Sequence, residues 1–262
     1  MTWVMLAAIL AAIAGYALAR KRRGKRPDGK DQWSIGILCG PDPLALAEDP
    51  AWANPRFTVA DLPGDDYIMV ADPFLVEDGG QWLLFFEMLN RRTRLGEIGV
   101  AGSADGWNWA YRGQALAETF HLSYPQVFRH GADWFMIPES RAAREVRLYR
   151  ALEFPLRWTL DRVLFTGNYS DPTILHWNGR WWIFATRHPR RLMIWSADEL
   201  RGTWRPHPAN PVYRYHKSAA RCGGRPVVAG GRILRFAQDA RQGYGGALRA
   251  FAVDVLDERR FR

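Results

Sequence analysis

Hydrophobic and polar positions alternate with a period of two in four similar segments of the chain. Each segment begins with small or polar residues, continues as an apolar strand, turns through glycine and ends in a second strand of large apolar residues. Because successive side chains of a strand point to opposite faces, this pattern predicts antiparallel β-hairpins. The segments are ADPFLVEDGGQWLLFFE (71–87), SYPQVFRHGADWFMIPE (123–139), SDPTILHWNGRWWIFAT (170–186) and the weaker copy GGRPVVAGGRILRFAQD (223–239).

The turns within these repeats contain residue pairs that tight hairpins favour. They are Gly79-Gly80, Asn178-Gly179 and Gly230-Gly231. Further short strands lie between the repeats and fit the outer half of four-stranded units. These strands fall at 96–113, 146–160 and 192–208.

The repeats recur about every 50 residues, which is the period of β-propeller blades. We predict five blades, the fifth closed by both ends of the chain, with 33–38 pairing beside 245–255. Closure of this kind would remove exposed sheet edges. Since no stretch after residue 31 has helical periodicity, the predicted fold class is an all-β, five-bladed β-propeller over residues 32–262.

The first 19 residues predict a transmembrane anchor. Residues 2–19 carry no charged side chain, and as a helix they would span about 27 Å, close to the hydrocarbon thickness of a bilayer. A basic linker at 20–31 follows, so the positive-inside rule places the propeller of this single-pass protein in the cytoplasm. The alternative is export after signal cleavage, because Ala17-Leu18-Ala19 resembles a cleavage site.

The net charge of +9 is concentrated in the same region. Residues 1–31 contain seven Lys and Arg against two Asp, so this short segment holds +5 of the total. The remaining charge is spread over more than 200 residues. This distribution argues against a nucleic-acid partner and predicts contact with anionic lipid headgroups instead.

The aromatic content is unusually high, with 13 Trp, 13 Phe and 9 Tyr. Flat rings fill the half-buried surfaces between sheets, so most of them are predicted to be structural. Trp181 and Trp182 point to opposite faces of one strand, and both are predicted to lie in the core. A few other rings would remain as stacking platforms for sugars.

Carboxyl groups recur at equivalent positions of the repeats. In a propeller the first strand of each blade lines the central channel, so equivalent residues converge there. Glycosidic cleavage needs one protonated and one ionised carboxyl group, and a third carboxylate can raise the pKa of the acid. The entries of three repeats supply Asp72, Tyr124 and Asp171, and the ends of the second strands supply Glu87, Glu139 and Asp239.

Many further segments resemble one known family. The matching residues read WSIGI, NPRFTVADL, VADPFLV, FFEMLN, GEIGVAGSADGWNW, FHLSYPQVF, MIPES, VRLYRALEFPLRW, SDPTILHWNGRWWIF, ADELRGTW, HPANPV, AARCGGR and FAQD…YGGAL. They resemble the propeller domain at the N-terminus of plant glucosamine inositolphosphorylceramide transferases and of bacterial relatives. That domain is distantly similar to the five-bladed propellers of arabinanases, levansucrases, invertases and family 43 glycoside hydrolases.

This resemblance implies a role for three acids. Asp72 would be the base or nucleophile, Asp171 would orient or tune the site, and Glu139 would be the general acid. The hydrolases place their acids in the order Asp, Asp, Glu, whereas the order here is Asp72, Glu139, Asp171. An Asp before Pro can also simply cap a turn, which is the competing structural interpretation.

Six further residues are predicted to bind substrate. His121 and Tyr124 would hydrogen-bond sugar hydroxyl groups, or else His121 would be a structural residue. Arg221 and Arg225 would form a fork for a carboxylate or phosphate, or else form ion pairs with the channel acids. Glu87 would face the channel or neutralise an Arg, and Asp239 precedes a loop that contains Tyr244 and several glycines.

Motifs for other chemistries are missing from the sequence. It has no glycine-rich phosphate loop, no paired-cysteine zinc spacing and no GxSxG elbow, and its six His are scattered. No cofactor or metal site is therefore predicted, although a structural axial ion stays an open alternative. Cys39 and Cys222 could pair, but two cysteines do not make a disulfide framework.

Two functions follow from these expectations. The first is a membrane-anchored, glycoside hydrolase-like protein that hydrolyses or transfers at a glycosidic bond of a surface glycan or glycolipid. The alternative is a non-catalytic module that binds such a glycan for a partner glycosyltransferase, because a separate transferase domain follows the propeller in the plant proteins. Acids that are locked in ion pairs with Arg221 or Arg225 would favour the binding module.

Overall fold

The computed structural model describes residues 33–262. The predicted anchor at 1–19 and linker at 20–31 lie outside these residues. The described part of the chain contains no helix that is long and apolar enough to cross a membrane. Its regular structure is β-strand apart from two 3-10 turns, Val59–Asp61 and Arg141–Ala143, so the prediction of an all-β chain is confirmed.

The first sheet has four antiparallel strands in sequence order. Strands β2 and β3 are buried along most of their length, whereas β4 alternates between exposed and buried positions, as an edge strand with one solvated face does. The strands are β1 (Tyr67–Asp78), β2 (Gln81–Asn90), β3 (Gly96–Ser103) and β4 (Ala110–Leu116).

The second sheet repeats this order with four more strands. Phe135 and Met136 in its second strand are buried, and they pair with Arg150 and Tyr149 of its third strand. The strands are β5 (Ser123–His130), β6 (Asp133–Glu139), β7 (Glu145–Glu153) and β8 (Arg157–Thr166).

The third and fourth sheets complete the described structure. The third has the order β12-β11-β10-β9 with β13 also paired to β11, and the fourth has the order β14-β15-β16. Their strands are β9 (Tyr169–Trp177), β10 (Arg180–Arg187), β11 (Arg191–Ala197), β12 (Arg205–Pro206), β13 (Tyr213–Arg214), β14 (Val227–Ala229), β15 (Arg232–Asp239) and β16 (Ala247–Val253).

Each predicted repeat forms the first hairpin of one sheet, so the repeat assignment is confirmed. Three of these hairpins, β1–β2, β9–β10 and β14–β15, turn through the predicted pairs of residues. Trp181 and Trp182 are both buried, as predicted. Cys39 and Cys222 are free thiols, so the alternative in which they pair is wrong.

The prediction of five blades is wrong, because the residues that the structure describes form four sheets. The segment 33–38 does not add a strand to the last sheet, and Ile35 instead forms an isolated bridge with Phe57. Five prolines fall within residues 41–63, and each one removes a backbone donor from any strand ladder. Local bridges therefore replace the expected fifth sheet.

The chain divides into two compact units. The first comprises the described residues up to Phe128 together with Ala151–Trp158, and the second comprises Arg129–Arg150 and Thr159–Arg262. In the first unit the early segment covers the first sheet, where it buries Ile35 and Phe57 against a cluster of side chains from β1, β2 and β3. In the second unit Phe165 stacks on Trp195, with ring centroids 4.2 Å apart.

Candidate active site

The starts of three repeats share one backbone feature. Asp72, Tyr124 and Asp171 each precede a proline and have φ values of 49°, 50° and 51°, in the left-handed region that few non-glycine residues adopt. The pairing register shifts at Asp72 in β1 and at Asp171 in β9. Such bulges redirect side chains, and each strained residue costs ~1–3 kcal/mol and is typical of functional sites.

The second unit brings Glu139 and Asp171 together. Strand β6 ends at Glu139 and lies beside β9, which carries Asp171 near its start. The backbone N–H of Asp171 donates a hydrogen bond to Oε2 of Glu139 at 3.0 Å. Both residues are buried, with 8% and 0% of their surface exposed.

Arg221 pairs directly with Asp171. Its Nε donates to Oδ2 of Asp171 at 2.5 Å, and its Nη2 donates to Oδ1 at 3.4 Å. The guanidinium group also lies 5.0 Å from the centroid of the Tyr244 ring, at cation–π distance. Of the two alternatives for Arg221, the structure therefore contains the ion pair with a predicted site acid.

The loop that carries Arg221 is fixed on both sides. The hydroxyl group of Thr186 donates to the carbonyl of Ala220 at 3.1 Å and accepts from the backbone N–H of Cys222 at 3.3 Å. Burial raises the pKa of the Cys222 thiol to about 11, so this cysteine is an unreactive part of the core. These bonds hold the Arg221 side chain over Asp171.

Glu139 is held in its protonated form at neutral pH. Burial, followed by the negative charge of Asp171, raises its pKa from the ordinary 4.5 to about 8. Arg221 opposes this shift but is already paired with Asp171. A buried carboxyl group that keeps its proton at pH 7 has the property that a general acid needs.

The sequence analysis missed three residues at the edge of this pair, which are Arg141, His188 and Arg190. Arg141 places its Nε 3.8 Å from Oε1 of Glu139, and Nε2 of His188 lies 3.4 Å from the hydroxyl oxygen of Ser170. Burial, then Arg141, Arg221 and Arg190, lower the pKa of His188, so its ring is neutral at pH 7. For His188 and Arg190, the signal in the sequence was the basic run RHPRR (187–191).

A second pair of predicted site residues meets in the first unit. Oε1 of Glu87 lies 3.3 Å from Nε2 of His121, and Nδ1 of His121 accepts the backbone N–H of Gly96 at 2.9 Å. Since Nδ1 accepts a hydrogen bond, Nε2 carries the proton in the neutral ring and faces Glu87. A Cβ on residue 96 would come within 2.1 Å of the carbonyl oxygen of Leu122, so this approach requires glycine.

The other predicted residues occupy separate places. Asp72 lies half-buried in the first unit, in the bulge of β1. Tyr124 is buried in the same unit and packs edge-on against Phe74 at 4.8 Å between ring centroids. Arg225 is half-buried in the loop before β14, in the second unit. The roles predicted for these three residues remain predictions.

Asp239, at the end of β15, is held by two arginines. Arg241 contacts it through Nε and Nη2, and Nε of Arg249 donates to Oδ2 at 2.7 Å. The hydrogen bonds from Arg241 and then Arg249 hold the pKa of this carboxyl group well below its usual range. The contacts of Asp239 are therefore ion pairs with these two arginines.

The arrangement in the second unit has the parts of an acid–base site. It combines a protonated buried acid, an ionised neighbour fixed by an arginine, and exposed cations at the edge. Among residues 33–262, no group of three His, Cys, Asp or Glu side chains is placed to hold a metal ion.

Comparison with known families gives a match that includes every described residue. Residues 25–262 match the family described as glucosamine inositolphosphorylceramide transferase 1, N-terminal. The chain belongs to this family.

The curated relatives are longer proteins. Glucosamine inositolphosphorylceramide transferase 1 of Oryza sativa subsp. japonica is 38% identical over 262 residues, which cover 91% of this chain and 35% of the relative. The protein of the same name from Arabidopsis thaliana is 36% identical over 265 residues, with 91% and 34% covered. The chain thus spans about a third of the length of these family members.

Solved structures establish the fold class. An exo-β-1,3-galactanase from Clostridium thermocellum superposes with a TM-score of 0.71 at 11% identity, over 96% of this chain and 61% of that one. CoXyl43, a β-xylosidase/α-arabinofuranosidase from a compost metagenome, gives a TM-score of 0.65 at 12% identity, over 95% and 88%. The fold is that of the glycoside hydrolase-like β-propellers, as the sequence predicted.

Proposed function

We propose that this family member is a carbohydrate-active protein that hydrolyses or transfers at a glycosidic bond of a glycan or glycolipid, with Glu139 as the general acid. The observation that carries the proposal is the buried carboxyl group of Glu139 beside Asp171, with its pKa raised to about 8. A carboxyl group in this state holds a proton at neutral pH and can deliver it to a leaving-group oxygen.

In this proposal each acid of the pair has a distinct task. Glu139 protonates the glycosidic oxygen as the bond to the leaving sugar breaks. Asp171 keeps the pKa of Glu139 high through its negative charge, and Arg221 holds that carboxylate in place. Asp171 is then a positioning residue, because its two oxygens face Arg221.

The remaining step requires an ionised carboxylate that activates water or attacks the sugar directly. That Asp72 supplies it stays a prediction, supported by a left-handed backbone and a bulge that repeat those of Asp171. Glu87 and His121 would bind sugar hydroxyl groups, since the proton on Nε2 and the carboxylate oxygens supply one donor and several acceptors.

The solved structures support the sugar chemistry of this proposal. The neighbours by fold are named as exo-β-1,3-galactanases, a β-xylosidase and a β-xylosidase/α-arabinofuranosidase. The curated relatives carry the name glucosamine inositolphosphorylceramide transferase 1, and about two thirds of their length lies outside the match. Both groups suggest a glycan or a glycolipid as the ligand.

A second candidate function is favoured by one contact. Asp171 is locked in an ion pair with Arg221, which leaves Glu139 as the one acid of this pair that can react, whereas glycosidic cleavage needs two carboxyl groups. In this candidate the chain binds a glycan or glycolipid without cleaving it and presents it to a partner glycosyltransferase. The length of the curated relatives beyond the matched region fits that division of labour.

Turnover of a glycan panel tests the first candidate. The panel contains β-1,3-galacto-, xylo- and arabino-oligosaccharides and a glycosyl inositolphosphoryl lipid, and released sugar is measured by chromatography. We expect cleavage of at least one compound by the wild type and a loss of at least about 100-fold in kcat for Glu139→Gln, since general acid catalysis contributes roughly 10²–10⁴-fold.

Glu199→Gln is the matched control, because it makes the same chemical change at an exposed turn. It should retain wild-type activity. Equal turnover by wild type and Glu139→Gln would remove Glu139 from the mechanism. Tight binding of a panel member that is never cleaved would support the binding module instead.

A further inference from the structure

Four basic side chains lie together at the edge of the Glu139–Asp171 pair. Arg141 lies 3.8 Å from Glu139, and Arg221 is bonded to Asp171. His188 contacts Ser170, the residue before Asp171, and it lies within electrostatic reach of both arginines. Arg190 acts on the same imidazole from the tip of the β10–β11 hairpin. We call the guanidinium groups of Arg141, Arg190 and Arg221 the cationic cluster, and the neutral ring of His188 lies near them.

The charges in the cationic cluster do not balance. Asp171 compensates Arg221, but the partner of Arg141 is Glu139, which is mostly protonated at pH 7 and then carries no charge. Arg190 forms no ion pair within residues 33–262 and is exposed. Two guanidinium groups therefore lack a carboxylate partner beside the buried acid.

Uncompensated guanidinium groups at the mouth of a site favour an anion, because planar N–H donors bind carboxylate and phosphate oxygens with charge-assisted hydrogen bonds. Arg141 begins a short 3-10 turn, and Arg190 lies in a tight hairpin loop with φ of 41°. Both side chains are thus carried by short connections between strands. The Tyr244 ring, 67% exposed, lies over Arg221 and leaves an aromatic face for a sugar.

We propose that Arg141 and Arg190 bind an anionic substituent, a phosphate or a carboxylate, on the sugar that the Glu139–Asp171 site accepts. The inference rests on the proposed carbohydrate function and narrows its substrate class to acidic or phosphorylated glycans. Neutral oligosaccharides would then be poor ligands, because nothing in them replaces water on these two guanidinium groups.

Binding to the full chain tests this directly and needs no turnover. The probes are glucose 1-phosphate, glucuronate and glucose, titrated by calorimetry at constant ionic strength. We expect saturable binding of at least one of the two anionic sugars and none of glucose at the same concentrations. The two anionic probes distinguish a phosphate site from a carboxylate site.

Substitutions locate the bound anion. Arg190→Gln and Arg141→Gln should each weaken binding of the anionic sugar by about tenfold, the loss expected for one charge-assisted contact. Arg205→Gln, an exposed arginine in β12 of the same unit, is the matched control and should bind like the wild type. Circular dichroism confirms that each variant is folded.

Affinity for glucuronate should also fall as the pH rises from 7 to 9. Glu139 faces Asp171, Arg141 and Arg221, and once it ionises its charge compensates Arg141. Binding of glucose as tight as that of both anions, or equal anion affinity in Arg190→Gln, Arg141→Gln and Arg205→Gln, would overturn the inference. Cleavage of neutral glycans alone would overturn the anion-binding inference and leave the proposed function intact. Anion binding without any cleavage would support the inference and overturn the proposed catalytic function.

Discussion

Glu97 and Glu139 are equally buried, each with 8% of its surface exposed, but they have different partners. Glu97 accepts hydrogen bonds from the side chains of Tyr67, Asn90 and Gln114, so its carboxylate is compensated by three donors. Glu139 accepts one backbone N–H and lies beside the negative charge of Asp171. The partners of a buried carboxyl group, more than its burial, thus decide whether it serves structure or chemistry.

This environment of Glu139 predicts a pH dependence of stability. With a folded-state pKa of about 8 against an ordinary 4.5, the folded chain keeps a proton that the unfolded chain has lost between these values. The free energy of unfolding should therefore fall as the pH rises from about 4.5 to 8, by on the order of a few kcal/mol in total. Glu139→Gln should remove this part of the slope.

Urea unfolding at several pH values measures the effect. Gln keeps an oxygen that accepts the N–H of Asp171, so the variant should remain folded. Glu199→Gln serves as the control and should follow the wild-type curve. If the curves of Glu139→Gln and wild type run parallel from pH 4.5 to 8, the assigned protonation of Glu139 is wrong.

The hairpin is the element that repeats through the chain. Three of its tight turns place two consecutive residues at positive φ, as type I′ turns require. The values are 58° and 79° at Gly79-Gly80, 49° and 74° at Asn178-Gly179, and 57° and 73° at Gly230-Gly231. Glycine and asparagine tolerate this region with little strain, which is why these pairs predicted the turns correctly.

At this scale we predict that Gly179→Ala destabilises the protein by about 1 kcal/mol, the cost of forcing a Cβ into the left-handed region. An added Cβ would meet no atom within 4 Å, so the loss would come from the backbone conformation alone. Asn178→Gly, at the neighbouring positive φ, is the control and should change the stability by a few tenths of a kcal/mol. Thermal unfolding compares the two, and equal stabilities would contradict the turn assignment.

On the scale of the whole molecule, the charge is divided unevenly along the chain. Residues 1–31 hold +5 of the net +9, and all of their charged side chains follow the uncharged run at 2–19. An anchor at 1–19 with the remainder in the cytoplasm stays a prediction, as does its alternative of export after signal cleavage. Charge and apolar length together decide between these two outcomes.

We predict that the full chain stays with membranes after extraction at alkaline pH. Leu10→Glu with Ile13→Glu should release it, because each charge near the bilayer centre costs roughly 2.5–3.5 kcal/mol on insertion scales. Gly24→Glu with Gly29→Glu, in the linker, is the matched control and should remain bound. A wild-type chain that is extracted into the supernatant, or that is shortened after residue 19, would contradict the anchor.

The sequence by itself determined the local structure. Alternating apolar positions and glycine-containing turns specify a hairpin through contacts between residues close in the chain, so the repeats, the all-β class and the matched starts at Asp72, Tyr124 and Asp171 were predictable. The prediction of a fifth blade was wrong because it required pairing between residues at opposite ends of the chain. Local bridges, such as Ile35 with Phe57, formed instead.

Only the tertiary structure decided which residues of the candidate site contact one another. Glu139 contacts a residue 32 positions away, and Arg221 binds one 50 positions away. No local pattern encodes such pairs, because the strands that carry them meet only after the sheets pack. Burial and a neighbouring charge then raise the pKa of Glu139 and leave Arg141 without a charged partner at neutral pH. These properties depend on distance and desolvation, which residue types in a sequence do not specify.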